Sequence, residues 1–111
     1  MGFTKEAEFA TRMDHIRAGL RLNSRVQIKL AWQESGVSHS VEGYTVDISP
    51  NGCLAIVPQG FATGQKLQLI NSTNGHNANA ILIWRGHEGR KGWELGLELE
   101  NPPQDFWGVD F

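Results

Sequence analysis

The sequence predicts an all-β fold, a small antiparallel barrel or sandwich, because apolar and polar residues alternate in short segments. Six such segments follow residue 25, and stretches rich in Gly, Asn and Ser separate them. A period of two puts alternate side chains on one face of a strand, which can then be buried. Short strands divided by frequent turns are typical of barrels and sandwiches. A barrel also removes exposed strand edges, so we expect this form.

Each predicted strand is identified by its apolar positions. In chain order these are Val26, Ile28, Leu30 and Trp32; Tyr44, Val46 and Ile48; Cys53, Ala55 and Val57; Leu67 and Leu69; Ala80, Leu82 and Trp84; and Trp93, Leu95, Leu97 and Leu99. The predicted connections are QESGVSHS, SPNG, PQGFATGQ, NSTNGHN and RGHEGRKG, all rich in turn-forming residues. This assignment places His39 and His87 in loops.

The two ends of the chain differ from the alternating region. Residues 1–19 contain a predicted amphipathic helix, in which Phe9, Met13 and Ile16 recur at helical spacing. Its apolar face either packs on the domain or docks to a partner or a second copy. Residues 20–101 form the predicted barrel, and residues 102–111 an aromatic tail. We expect the tail to cover one mouth of the barrel or to pack on the helix, with a partner interface as the alternative.

Composition limits the classes of function. A chain of 111 residues is long enough for one modest core, and its formal net charge of -2 argues against binding of nucleic acid polymers or membrane surfaces by bulk charge. The single cysteine, Cys53, excludes an intrachain disulfide and favours a reducing compartment, so we expect a cytoplasmic protein. No apolar run is long enough to span a bilayer, so no membrane insertion is expected.

The residue patterns of enzymes and metal sites are missing from the sequence. The four histidines are scattered, without a second ligand at metal-binding spacing. Neither type of glycine-rich phosphate loop nor a GxSxG nucleophile turn occurs. Cys53 lies at an apolar strand position, where we expect it to be part of the core. The sequence therefore predicts a non-enzyme without catalytic residues, metal or cofactor.

A polar turn and a pair of arginines are the candidate site. Residues 49–52 read Ser-Pro-Asn-Gly, a strong turn sequence, and Asp47 and Ser49 alternate along the strand that enters it. Arg21 and Arg25 are four residues apart and directly precede the first strand. Either feature alone has a purely structural explanation. Together they put two arginines at the start of strand one and a carboxylate and hydroxyl at the end of strand two, where these groups can meet.

These side chains have the chemistry to bind a nucleotide with an exposed purine and phosphodiesters. Arginine grips phosphate in bidentate fashion, hydrogen-bonds the O6 and N7 atoms of guanine, and stacks on a base. The carboxylate of Asp47 can accept hydrogen bonds from guanine N–H groups, and the hydroxyl of Ser49 can assist. Gly52 lets the backbone approach a ligand closely.

The arrangement resembles the PilZ domain. The resemblance rests on Arg21-x-x-x-Arg25, on Asp47-x-Ser49-x-x-Gly52, and on a closing strand GLELE. It implies a six-stranded antiparallel split barrel that binds the bacterial second messenger cyclic di-GMP. If the roles of the matching residues in PilZ domains apply here, the resemblance implies that the two arginines wrap the ligand's phosphates and guanines. It also implies that Asp47 and Ser49 hold a guanine edge, and that Gly52 shapes the turn.

The residue before the first arginine, Leu20, would by the same resemblance favour one bound messenger molecule rather than a stacked pair. The ligand would order a flexible RxxxR segment, reorient the N-terminal helix, and relay the signal to a protein partner. One alternative is a PilZ-like protein-interaction module that does not bind the nucleotide. Another is a barrel that binds single-stranded nucleic acid through Trp32, Trp84 and Trp93, which the lack of accompanying Lys and Arg disfavours.

Overall fold

The computed structural model describes residues 21–111 as a barrel of six strands. The strands are β1 (Gln27–Glu34), β2 (Val37–Ser49), β3 (Gly52–Val57), β4 (Lys66–Asn71), β5 (Asn77–Gly89) and β6 (Gly92–Glu100). The predicted amphipathic helix and Leu20 lie outside the described residues.

All neighbouring strands pair in antiparallel fashion, and the sheet closes on itself. The strand order is β1-β2-β3-β6-β5-β4, and β4 pairs back with β1. The prediction of a six-stranded antiparallel barrel is therefore confirmed. The β2–β3 and β4–β5 turns and the end of β6 all lie at one end of this barrel, because neighbouring strands run in opposite directions.

Two of the predicted loops are wrong, because strand pairing continues through them. The β1–β2 connection is only Ser35 and Gly36, both with positive φ (53° and 78°), as a tight two-residue hairpin turn requires. The β5–β6 connection is likewise only Arg90 and Lys91. His39 therefore lies on β2 and His87 on β5. The ring of His39 stacks on that of Trp32, with 5.5 Å between centroids.

Most of the predicted apolar positions fill the interior of the barrel. Its fully buried side chains include Ile28, Leu30, Leu69, Leu82 and Leu97. The tryptophans proposed as an alternative stacking surface are only half-buried, and two of them, Trp32 and Trp93, pack against this core. Tyr44 is not part of this core, and Val46 and Trp84 pack against a second cluster around Leu54 and Ile83.

The tail packs into the same core. Phe106 and Trp107 are buried, with exposed fractions of 2% and 6%, and their rings meet edge to face with 4.8 Å between centroids. The side-chain amide of Asn71, at the end of β4, donates to the carbonyl oxygen of Phe106 over 2.9 Å. The tail thus covers the mouth of the barrel where the β2–β3 and β4–β5 turns lie, one of the two arrangements expected from the sequence.

Cys53 lies in the core, and we predict that its thiol is inert in the folded protein. Burial disfavours the charged thiolate and raises the pKa of Cys53 to about 12. The thiol therefore stays protonated well above neutral pH, and only the thiolate is nucleophilic. We expect negligible alkylation by iodoacetamide at pH 8 in buffer and complete alkylation in denaturant, measured by intact mass. Rapid alkylation of the folded protein would show that the core is open.

Because the folded-state pKa of Cys53 is raised, the protonated thiol stabilises the fold at neutral pH. That contribution is lost as the pH rises from 9.0 towards 12, where only the unfolded chain ionises readily.

No helix within residues 21–111 is long and apolar enough to cross a membrane.

Candidate functional site

Residues 21–26 lie along the outside of the barrel as an extended segment that prolongs β1. Leu22 and Ile48 exchange two main-chain hydrogen bonds of 2.8 Å, and the amide of Ser24 donates to the carbonyl oxygen of Val46 over 3.2 Å. The amide of Thr45 donates to the carbonyl oxygen of Val26 over 2.9 Å. The RxxxR segment from Leu22 onward is thus fixed against β2, which differs from the flexible segment expected from the sequence.

Thr45, beside a β-bulge of β2, holds this segment in place through its hydroxyl. The pairing of β2 with β3 shifts between Thr45 and Asp47, so Val46 is the extra residue of the bulge. The buried hydroxyl of Thr45 accepts from the amide of Val26 over 2.8 Å and donates to the carbonyl oxygen of Ser24 over 2.6 Å. The hydroxyl thereby satisfies two main-chain groups of the segment, the amide of Val26 and the carbonyl of Ser24.

The extended conformation puts Arg21, Asn23 and Arg25 on one side, because alternate side chains of an extended chain share a side. Asp47 lies on the same surface. A nitrogen of the Arg21 guanidinium is 3.8 Å from one carboxylate oxygen of Asp47, and the side-chain amide of Asn23 donates to the other oxygen over 3.1 Å. The carboxylate is therefore engaged through both oxygens. The side chain of Asp47 is 14% exposed, and that of Arg21 is 48% exposed.

Arg25 extends the same surface towards the middle of β2. Its guanidinium lies over the ring of Tyr44, 4.0 Å from the centroid, which is a cation–π contact. Because Arg25 is exposed, the other face of its planar group is accessible to a second flat partner such as a base. The surface thus presents a carboxylate, an amide, two guanidinium groups and a tyrosine ring.

The structure places Ser49 differently from Asp47. Ser49 is 1% exposed, and its hydroxyl lies within the turn, 3.4 Å from the carbonyl oxygen of Gly52 and 3.3 Å from the amide of Asn51. The carbonyl oxygen of Ser49 accepts a hydrogen bond of 2.8 Å from the indole nitrogen of Trp107. In the described structure Ser49 therefore supports the turn, and its contact with a guanine stays a prediction.

Gly52 is required by the packing of β3 on β6. Its φ is not positive, so turn geometry does not demand a glycine. A Cβ atom at this position would, however, overlap the carbonyl oxygen of Leu97 on β6. The glycine of the Asp47-x-Ser49-x-x-Gly52 pattern thus has a structural role that is independent of any ligand.

We predict that Gly52→Ala destabilises the protein by about 1–3 kcal/mol, because β6 must shift to admit the methyl group. Gly89→Ala is the matched control, since a Cβ atom there meets nothing closer than 3.8 Å. Urea unfolding followed by circular dichroism measures both variants. Equal stabilities would show that the β3–β6 contact is looser than described.

The structure therefore brings together three of the five predicted ligand-binding residues, Arg21, Arg25 and Asp47, on one outer surface, which we call the arginine–aspartate surface. Ser49 and Gly52 lie in the adjoining turn. Asn23 and Tyr44 also belong to the surface and were not predicted, and Thr45 supports it from inside.

No group of histidine, cysteine or acidic side chains in the described part of the chain could hold a metal ion. What these residues form is a small antiparallel barrel with a binding surface rich in arginine on its outside. The protein class they define is that of small β-barrel binding domains.

The sequence profile of the PilZ domain matches residues 12–106, and the chain belongs to the PilZ domain family. PilZ domains are generally receptor domains for cyclic di-GMP and act by binding, although some PilZ proteins do not bind the nucleotide. Comparisons with curated protein sequences and with solved structures give no match.

Proposed function

We propose that the protein is a receptor for cyclic di-GMP, with the arginine–aspartate surface as its binding site. The observation that carries the proposal is that Arg21, Arg25 and Asp47 lie together on the outer surface beside the C-terminal half of β2. Membership of the PilZ family supports it. The proposal assigns direct ligand contacts to these three residues, retains the predicted guanine contact of Ser49, and gives Gly52 the shaping of the turn.

The chemistry of the surface complements that of the ligand. Each guanidinium can take a phosphodiester in bidentate fashion or hydrogen-bond the O6 and N7 atoms of a guanine. The Asp47 carboxylate can accept from the N1–H and N2–H groups of the guanine, which adenine does not present in this form. To do so it gives up its ion pair with Arg21 and the hydrogen bond from Asn23 for hydrogen bonds to the base. This exchange releases Arg21 to meet a phosphate.

The exchange also provides a route for signalling. Arg21 directly follows residues 1–20 in the chain, so a ligand that moves its side chain acts next to the N-terminal segment. We propose that this junction relays binding to a protein partner, and that the protein works in the bacterial cytoplasm, where the messenger is found. The proposal involves no cofactor and no nucleic acid polymer.

Isothermal titration calorimetry with cyclic di-GMP tests the function. We expect saturable binding of one molecule per chain, and much weaker binding of cyclic di-AMP, because adenine cannot donate to Asp47 in the same way. An absence of binding at high micromolar cyclic di-GMP would overturn the proposal, and equal binding of the two dinucleotides would remove Asp47 as the guanine contact.

The second candidate is a protein-interaction module that does not bind the nucleotide. The involvement of the Asp47 carboxylate in contacts within the chain favours it, as does the burial of Ser49. Both residues then have structural roles only. A partner complex that persists unchanged in the Arg21→Ala variant and in the presence of cyclic di-GMP would support this candidate.

A further inference from the structure

The seam between β1 and β4 opens before the two strands end. Their pairing stops at Ala31 and Gln68, whereas the same register would next bring Gln33 opposite Lys66. A groove with a volume of about 590 Å³ lies at this opening, and we call it the seam groove. Its lining includes Ala31, Gln33, Lys66, Gln68, Asn79 and Glu100, so it extends from the seam over the outer face of β5 and β6.

Main-chain groups face the seam groove outside the strand ladder. The amide of Ser72 donates to the carbonyl oxygen of Gln27 over 3.0 Å, so every second residue of β1, counted from Gln27, directs its main-chain groups towards β4. By the same alternation Lys66 directs its own groups towards β1. Because the pairing of β1 with β4 ends before Gln33 and Lys66 meet, their N–H and carbonyl groups supply donors and acceptors at the opening.

The side chains around the seam groove are mainly neutral amides. Gln33, Gln65, Gln68 and Asn79 all line it. A side-chain amide both donates and accepts hydrogen bonds, as a hydroxyl group also does. The amides of Gln33 and Asn79 have no hydrogen-bond partner within residues 21–111, so both are available to a ligand. A ligand that carries many hydroxyl groups therefore complements this lining.

The other lining residues narrow the class of ligand. The rings of Trp32 and His39 stack with 5.5 Å between centroids and together form an aromatic wall, which can pack on the C–H groups of a sugar ring. Lys66 and Glu100 are the only Lys, Arg, Asp or Glu side chains among the described residues of the lining. Their charges are opposite, so the groove favours neither an anion nor a cation.

We propose that the seam groove binds a neutral oligosaccharide. The amide side chains and the main-chain groups at the opening bond to its hydroxyls, and the aromatic wall contacts its rings. The volume of the groove lies within the range of about 300–1,000 Å³ that is usual for small-molecule sites. This binding uses none of the residues of the arginine–aspartate surface, so the proposal stands separately from the proposed function.

Titration of the isotope-labelled full chain with cellobiose, maltose and lactose, followed by nuclear magnetic resonance, tests the proposal. We expect at least one of these neutral disaccharides to cause saturable shifts of the side-chain amide signals of Gln33 and Asn79 and of the indole N–H signal of Trp32. The indole N–H of Trp107, which is bonded to the carbonyl oxygen of Ser49, is the internal control and stays unchanged. An absence of saturable shifts at millimolar concentrations of all these sugars would overturn the proposal.

Substitutions locate the binding. Gln33→Ala and Asn79→Ala should each weaken it roughly two- to tenfold, because each removes hydrogen bonds to the sugar. Gln104→Ala, which removes an exposed amide of the tail, is the matched control and should leave the affinity unchanged. Ala31→Leu fills the groove without removing a polar group and should abolish binding. Unchanged affinity in Ala31→Leu, or an equal loss in Gln104→Ala, would contradict the proposal.

A capped alanine peptide separates side-chain from main-chain recognition. An extended peptide can add to an open strand edge through main-chain hydrogen bonds alone. We expect an acetylated and amidated alanine peptide to cause no saturable shifts in the seam groove. Binding of this peptide as tight as that of the disaccharides would show that the opening accepts a strand, and would overturn the assignment of a saccharide.

Discussion

Arg21→Ala and Arg25→Ala are each expected to weaken the binding of cyclic di-GMP by about 1.5–3 kcal/mol, roughly ten- to a hundredfold in dissociation constant. Each change removes charged hydrogen bonds to the ligand, and Arg25→Ala also removes the planar group that lies on Tyr44. Calorimetric titration of each variant against the parent measures the loss.

Arg90→Ala is the matched control for both variants. Arg90 is exposed in the β5–β6 turn, away from the arginine–aspartate surface, so its removal changes the charge equally and should leave the affinity unchanged. Arg85 is a poorer control, because its guanidinium donates to the carbonyl oxygen of Phe61 over 3.2 Å and lies over Trp93. A similar loss at Arg90 would show that binding follows overall charge rather than this surface.

The second large effect is expected for Trp107→Ala, which should lower the free energy of unfolding by about 3–5 kcal/mol. The side chain is buried, packs on Phe106, and donates its indole N–H to the carbonyl oxygen of Ser49. Its loss leaves a cavity at the barrel mouth and an unpaired buried carbonyl. For a domain whose total stability is about 5–15 kcal/mol, this is a large fraction.

Two further variants separate the causes. Trp107→Phe keeps much of the ring volume and loses only the N–H group, so we expect a smaller loss, about 1–3 kcal/mol, from the unsatisfied Ser49 carbonyl. Phe111→Ala, an aromatic of the same tail that is 38% exposed, should change stability by only about 0.5 kcal/mol. Urea unfolding followed by far-ultraviolet circular dichroism avoids dependence on tryptophan fluorescence. Equal effects of Trp107→Ala and Phe111→Ala would mean that the tail is not part of the core.

The number of strands could be predicted because the barrel interior demands apolar side chains at every second position, and their antiparallel direction because the connections between them are short. Ile28 and Leu30 on β1, and Leu95 and Leu97 on β6, are buried as their alternation indicates. The lengths of the hairpins could not be predicted. Ser38, His39 and Ser40 carry no apolar alternation, yet they pair with β1, because main-chain hydrogen bonds do not depend on side-chain polarity.

The candidate site could be predicted only in part. The sequence indicates Arg21 and Arg25 by their spacing. A spacing of four residues, however, is compatible with one face of a helix as well as with one side of an extended chain. Only the pairing of Leu22 with Ile48 shows that the segment is extended. That conformation brings in Asn23 between the two arginines, a residue that helical spacing would place elsewhere.

By itself the sequence determined the all-β class, most of the core side chains and the resemblance to PilZ domains, because these depend on local periodicity and on short motifs. The tertiary structure decided which side of the chain each motif residue occupies. The bulge at Val46 shifts the alternation of β2, so that Thr45 is buried and Tyr44 lies on the outer side with Asp47, and the tail and the β6 backbone make Ser49 and Gly52 parts of a packed turn. These roles arise from contacts between residues far apart in the chain, which no local pattern encodes.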